Sequence, residues 1–338
     1  MAMTVSAAAH PNLAFVKYWG QRDARLNLPA NGSISVNLSG AVTTTAVTFD
    51  PTLAEDAIQL NGAPAVGVAR QRVVAHLDRV RALAELEAPA RVVSSNDFPA
   101  AVGLASSASA FAALSLAATR AAGLVLSERA LTILARKGSG SACRSVPDGF
   151  VEWLKGEDDQ SSYARTLAPA DHWDIRVVTV AFVERAKLVT SLEGHRAAPA
   201  SPFYRARLAS VTERLDRVRA SILARDFDTL GMTAEREAAS LHAVAMTSSV
   251  ATRPSLSGIY YLEAGTMDLI QRVQRWRAGG LPVYFTLDAG PTVHLLCEAV
   301  HLDEVRGRLA GFAEDRDVRV ITSEPGRGAW LINTNGGV

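Results

Sequence analysis

Four short stretches of this 338-residue chain carry residue types with an obvious chemical use. The first is Pro99-Ala-Ala-Val-Gly103-Leu104-Ala105-Ser106-Ser107-Ala108-Ser109. A glycine-containing turn feeding a helix presents unpaired backbone N–H groups and the positive end of the helix dipole, which suits phosphate. Its serine hydroxyls could bond phosphate oxygens or help hold magnesium, though a Ser-capped, Ala-rich packing helix would look the same. Neither the Walker A nor the dinucleotide spacing is present. The second stretch is Gly138-Ser139-Gly140-Ser141-Ala142-Cys143-Arg144-Ser145. Free N–H groups, hydroxyls and a guanidinium suit a carboxylate or phosphate, and the plain alternative is an interhelical linker with a surface arginine. The third is Asp288, between the apolar Thr286-Leu287 and the turn Ala289-Gly290-Pro291. It is either an Asx-turn former or a cleft carboxylate able to orient or deprotonate a hydroxyl. The fourth is Lys17 in Asn12-Leu-Ala-Phe-Val-Lys17-Tyr18-Trp19-Gly20, a lone charge in an apolar run that must point outward or pair with an acid.

These stretches need elements to hold them. Residues 31–38 and 42–49 read as strands from their period-two patterning. Pro64 to Leu86 reads as a helix, then Arg91 to Ser94 as a short strand. Ser106 to Gly123 is a helix of small residues closed by glycine, and Ser127 caps another running to Lys137. Ile175 to Val183 is a continuous apolar run, hence a buried strand. Helices follow over 202–224, 227–245 and 259–278, and strands over 282–287 and 292–297 flank the Asp-Ala-Gly-Pro turn. The expectation is an α+β protein of two lobes, residues 1–180 and 181–338, meeting near residue 180.

Composition narrows the classes. Hydrophobic residues make up 48% and charged residues 20%, which is globular rather than disordered. A net charge of +1 gives no bulk field for nucleic acid or an anionic membrane. There is no long uncharged apolar run and no signal-peptide pattern at the start, so a cytoplasmic location is expected. Cys143 and Cys297 are too few for a disulfide framework. His10, His242 and His294 lack ligand spacing and read as ordinary packing or surface residues. No Cys/His metal cluster is present.

Taken together, the four stretches resemble the diphosphomevalonate decarboxylases of the GHMP kinase superfamily. That family's early pattern, Asn-Ile-Ala-x-x-Lys-Tyr-Trp-Gly-Lys-Arg-Asp, is met by Asn12 through Gly20-Gln21-Arg22-Asp23. Its phosphate loop is met by Asn96-Asp-Phe98-Pro99 through Ala108. Its most distinctive run is met by Gly138 through Arg144-Ser145, then Gly149-Phe150-Val151-Glu152-Trp153, and its last motif by Asp288-Ala-Gly-Pro291. The motifs fall in family order. The resemblance implies a two-lobed GHMP kinase fold with ATP and Mg2+ as cofactors. It implies Asp288, Lys17 and Arg144 at the chemistry: Asp288 at the 3-hydroxyl, Lys17 on Asp288, Arg144 on the substrate carboxylate. It also implies ATP contacts from Asn96, Gly103, Leu104, Ala105, Ser106, Ser107 and Ser109, with Ser107 near the magnesium. Tyr18, Gln21, Ser139, Gly140, Ser141 and His195 would line the substrate site. A homodimer is common in such a family, although no apolar stripe in the sequence demonstrates one.

The chain departs from the pattern in two places. The lysine after Trp-Gly is Gln21. In the segment Thr190-Ser191-Leu192-Glu193-Gly194-His195, Leu192 stands where some members have arginine and His195 where they have methionine. In the family these basic positions bind the terminal phosphate of a diphosphate, so the sequence points to a monophosphate. The expected reaction is (R)-5-phosphomevalonate plus ATP giving isopentenyl phosphate, CO2, ADP and phosphate. Arg22 or Arg196 could restore the lost charge and with it the diphosphate substrate. A mevalonate 3-kinase that does not decarboxylate is disfavoured by the presence of both Lys17 and Asp288.

Overall fold

A computed structural model of the protein describes residues 3–98, 106–182, 188–314 and 316–332. Its strands in chain order are β1 (Val5–Ala9), β2 (Asn12–Val16), β3 (Gln21–Asp23), β4 (Leu28–Pro29), β5 (Ser33–Asn37), β6 (Thr43–Phe49), β7 (Ala57–Leu60) and β8 (Ala63–Pro64). They continue with β9 (Ala90–Asn96), β10 (Phe150–Trp153), β11 (Ala164–Ala168), β12 (Ile175–Phe182), β13 (Tyr284–Leu287), β14 (Val293–Glu298), β15 (Val318–Ser323) and β16 (Trp330–Ile332). The helices are α1 (Gly67–Ala84), α2 (Ser106–Ala121), α3 (Glu128–Gly138), α4 (Ser191–Ala197), α5 (Tyr204–Ala224), α6 (Phe227–Met246), α7 (Ala264–Ala278) and α8 (Leu302–Ala313).

The strands form three main sheets, in the orders β16-β1-β6-β9-β7-β8, β11-β10-β5-β2 and β13-β14-β12-β15. Pairing is antiparallel except between β7 and β9. The alternation in β6 (TTTAVTF) buries one face against α2, whose alanines and serines let a helix lie close on a sheet. That core joins Val47, Val92, Leu77, Phe111 and Leu134 from the first sheet and α1 to α3. The second sheet packs on α5 and α6 through Phe15, Ile34, Val36, Val218, Ile222 and Leu230. The third, carrying the buried run of β12, packs on α7 and α8.

The expected α+β class and most expected elements are present, with three differences. The helix expected from Ile259 begins at Ala264, because Glu263 and Thr266 form a capping box there and Ile259 and Tyr261 are buried in a separate cluster. The Gly-Ser stretch is no linker: Gly140–Ser145 is a 3-10 helix whose Ala142, Cys143, Arg144 and Ser145 are buried. Unforeseen are β7, β8, β10, β11, α4, α8, β15 and β16, the last of which returns from the end of the chain to pair with β1.

Candidate active site

Lys17 follows directly on β2, whose ladder with β5 is interrupted by a bulge between Ala14 and Val16. It is 2% exposed, and its Nζ donates to Asp288 Oδ1 at 2.7 Å. Asp288 follows β13, and its side chain stays 32% exposed to the cavity. Burial by itself raises the Asp288 carboxyl, but the Lys17 ammonium, together with His294 and Arg144, outweighs it and holds the group below the ordinary carboxylate range. Burial lowers Lys17 against the pull of Asp288. A pair of this kind keeps a carboxylate ionised and ready to accept a proton from a hydroxyl.

Arg144, in the 3-10 helix, is 5% exposed. Its Nε donates to Asn12 Oδ1 at 3.1 Å and its Nη1 to Ser33 Oγ at 2.8 Å. Asn12 is itself anchored on Ser145 Oγ and the Ser141 carbonyl. No acid lies within ion-pair distance of Arg144 among the described residues. A buried guanidinium oriented by neutral partners suits an incoming anion.

Lys17, Arg144 and Asp288 line one cavity of about 590 Å³ with Tyr18, Gln21, Ser106, Ser107, Ser139, Gly140, Ser141, Leu192, His195 and Arg196. The structure thus brings together all the expected catalytic and substrate-site residues. His195 stacks on Tyr18 at 4.1 Å and packs against Trp19, and its Nδ1 accepts the Gly20 N–H at 3.0 Å. Burial, with Arg144 and Arg207 nearby, pushes its pKa down to about 3, so the ring is neutral near pH 7. Gln21 donates to Asn27 Oδ1, which lies in a turn held by the Arg136 and Lys137 carbonyls. Leu192 is 45% exposed on α4, whose start is fixed by a Thr190–Glu193 capping box.

Of the expected ATP contacts, Gly103, Leu104 and Ala105 lie outside the described residues. Ser106 and Ser107 open α2 and face both the main cavity and a second one of about 260 Å³. That second cavity also holds Asn96 and the apolar Leu60, Val73, Val92, Phe111 and Leu114. Ser109 lines neither: fully buried, it bonds Thr43 Oγ1 and the Ser106 carbonyl and ties α2 to β6. Among the described residues no cluster of His, Cys, Asp and Glu could hold a metal by itself. A cation there would be carried on a ligand's phosphates beside the serine hydroxyls, which is how magnesium binds best.

Sequence reading missed three contributors. Arg72 of α1 lines both cavities, donating to the Gly138 carbonyl and lying 4.9 Å from the Phe111 ring centre. Nothing in its arginine-rich helix singled it out. His242 Nε2 donates to the Asp288 carbonyl at 3.2 Å, and His294 bears electrostatically on Asp288. Both had passed as ordinary packing residues, and both are indeed buried. Of the two arginines that could restore the lost charge, Arg22 is engaged elsewhere, donating to the Lys155, Gly156 and Glu157 carbonyls. Arg196 lines the cavity wall.

Comparison with known proteins places this geometry. Residues 9–164 match the diphosphomevalonate decarboxylase-like N-terminal domain, and residues 177–326 match the mevalonate 5-diphosphate decarboxylase C-terminal domain. Human diphosphomevalonate decarboxylase is 37% identical over 310 residues, 85% of this chain and 75% of that protein. The phosphomevalonate decarboxylase of Haloferax volcanii is 32% identical over 317 residues, 94% and 95% of the two chains. The solved structure of MDDEF in complex with MVAPP, AMPPCP and magnesium superposes with a TM-score of 0.90 at 36% identity, covering 99% of this chain and 100% of that one. With both halves matched in order, a Lys–Asp pair at the cleft and a buried arginine across from it, the chain belongs to the diphosphomevalonate decarboxylase family.

Proposed function

We propose that this chain decarboxylates (R)-5-phosphomevalonate at the expense of ATP, giving isopentenyl phosphate, CO2, ADP and phosphate. The decarboxylase class follows from the family. The monophosphate is the finer reading, and one observation carries it. Where the family pattern has cations, the cavity wall is Gln21 held by Asn27 and an apolar Leu192, and beside them His195 is neutral. A second phosphate in a poorly solvated cleft needs compensating donors, and those side chains supply no charge. The Haloferax relative is named for the monophosphate, whereas the human one is named for the diphosphate. Arg196, exposed on the same wall, is the residue that favours the diphosphate reading.

The chemistry is assigned to this chain's residues as follows. Asp288 orients the tertiary 3-hydroxyl and takes its proton as the oxygen attacks the γ-phosphorus of ATP and ADP leaves. Lys17 keeps Asp288 ionised and offsets charge on the transferring group. The 3-phosphate then departs with its bonding electrons, and the C1–C2 bond breaks to release CO2 and form the alkene. Arg144 holds the carboxylate in line for that step. Ser106, Ser107 and Arg72 face the nucleotide phosphates, and the purine occupies the second, apolar cavity. Ser107 would stand beside magnesium carried on the nucleotide, which would supply neutralisation of phosphate charge. The first half of the chain, residues 1–180, supplies the nucleotide side and residues 181–338 supply Asp288 and α4.

The test is an ADP-release assay with mevalonate, its 5-phosphate and its 5-diphosphate side by side, with CO2 measured in parallel. Turnover of the 5-phosphate with stoichiometric CO2 is expected. Turnover of the diphosphate alone would assign the other substrate, and ADP without CO2 would make the chain a 3-kinase.

A further inference from the structure

Lys17 stands one residue beyond β2, so its peptide groups have left the sheet ladder. Side chains hold them instead, two of them from the other half of the chain. The Lys17 N–H donates to Glu237 Oε1 of α6 at 3.0 Å. The Lys17 carbonyl accepts from Arg207 Nη2 of α5 at 3.0 Å and from Asn31 Nδ2 at 2.9 Å. Arg207 and Glu237 are paired with each other, and the second Glu237 oxygen pairs with Arg214, two helical turns from Arg207. Glu237 is 0% exposed and Arg207 3%.

Burying such a pair gains little stability over well-packed apolar side chains of the same volume, because desolvation offsets most of the attraction. Apolar groups, however, could not bond both the N–H and the carbonyl of one residue. The pair also encloses the peptide whose side chain donates to the Asp288 carboxylate. We infer that Glu237 and Arg207 are positioning residues for the reaction, clamping the Lys17 main chain from both sides so that its ammonium stays on Asp288. The groups facing Lys17 are Asp288, Glu237, Arg207, Arg144, His242 and His294. Of these, Asp288 and Glu237 carry negative charge that favours the ammonium.

The inference rests on the decarboxylase reading above, and the two fail differently. If that reading is wrong, the wild-type protein releases no CO2; if this inference is wrong, wild-type turnover stands. The test compares Glu237→Gln and Arg207→Lys with wild type in thermal melts, in kcat and KM for both substrates, and in the pH profile of kcat. Expected in both variants is a kcat lower by about 10²-fold, the loss typical of a misplaced catalytic group, with KM values little changed. In Glu237→Gln the alkaline limb also moves to lower pH, because the Lys17 ammonium has lost one of its two supporting carboxylates. In Arg207→Lys, which keeps the charge but not the two-pronged grip, the limb stays in place. Wild-type kcat in either folded variant overturns the inference. So does a loss that tracks the fall in Tm with an unmoved limb in Glu237→Gln. If Glu237→Gln does not fold, Arg207→Lys decides alone; failure of both to fold overturns the inference by making the pair a structural element.

Discussion

Asp288 and Lys17 are separated by 271 positions in sequence and by 2.7 Å in space. At this scale the site works through charge held out of water, so removing charge at fixed shape is the informative change. Asp288→Asn keeps the shape and removes the proton acceptor. Its kcat should fall by about 10²- to 10⁴-fold in the ADP-release assay, with ATP affinity by equilibrium titration little changed. Retained turnover would remove Asp288 from its assigned role. At the other end of the cavity, Gln21→Lys combined with Leu192→Arg adds two cations to a wall now without charge at those positions. The ratio of kcat/KM for the diphosphate over the monophosphate should rise by at least about tenfold. An unchanged ratio would mean that specificity is set elsewhere, with Arg196 the first alternative.

Among the elements, α4 decides how that wall is presented. It is a short helix fixed at its start by the Thr190–Glu193 capping box and set close on the aromatic cluster by Gly194. A methyl group at Gly194 would come within 2.6 Å of the Tyr261 hydroxyl and 2.7 Å of the Trp19 ring. Gly194→Ala gains about 1 kcal/mol of helix propensity. Overpacking costs about 1 to 3 kcal/mol, so a lower Tm is expected. Because α4 carries Leu192 and His195, KM for the phosphorylated substrate should rise while KM for ATP stays put. Equal changes in both, measured by initial rates, would separate α4 from substrate binding. At the opposite side of the cavity the N-terminus of α2 plays the matching role, aiming Ser106 and Ser107 at both cavities while Ser109 anchors the helix to β6.

Across the whole molecule, burial leaves several histidines neutral. His76 and His195 are pushed down to about 3, and His242 and His294 to about 4, in each case chiefly by desolvation. In the unfolded chain they titrate near their ordinary value of about 6.5. As pH falls through that value the unfolded state takes up protons that the folded state refuses, so stability is complete above it and declines below. The decline is at most about 1.4 kcal/mol per pH unit for each histidine, down toward the folded values. The depressed Asp288 carboxyl adds to the loss at still lower pH, below its unfolded value. Thermal melts at constant ionic strength should therefore show Tm falling steadily from pH 6.5 to 4.5. A flat profile over that range would contradict the neutral assignment.

The residues read directly from sequence are those lying in short runs whose neighbours announce them. Lys17 is a lone charge in an apolar stretch, Arg144 follows a Gly-Ser run, and Asp288 precedes a glycine turn. Local hydrogen bonding and hydrophobic period act over a few residues, so the α+β class, most helices and the four motifs were legible there. Glu237, Arg207 and Arg72 look like the solvated face of any charged helix, and His242 and His294 like packing residues. Their part at the site exists only because the burial of apolar faces brings α5 and α6 against β2, α1 against α2 and α3, and β14 beside β13. The choice between a linker and a buried guanidinium at Arg144 was decided the same way, by the two strands that supply Asn12 and Ser33. Sequence by itself determined which chemical groups the protein has and the class of reaction they suit. Only the tertiary structure decided which of them share a cavity, which are charged within it, and which hold the others in place, because desolvation and ion pairing depend on neighbours that chain distance does not reveal.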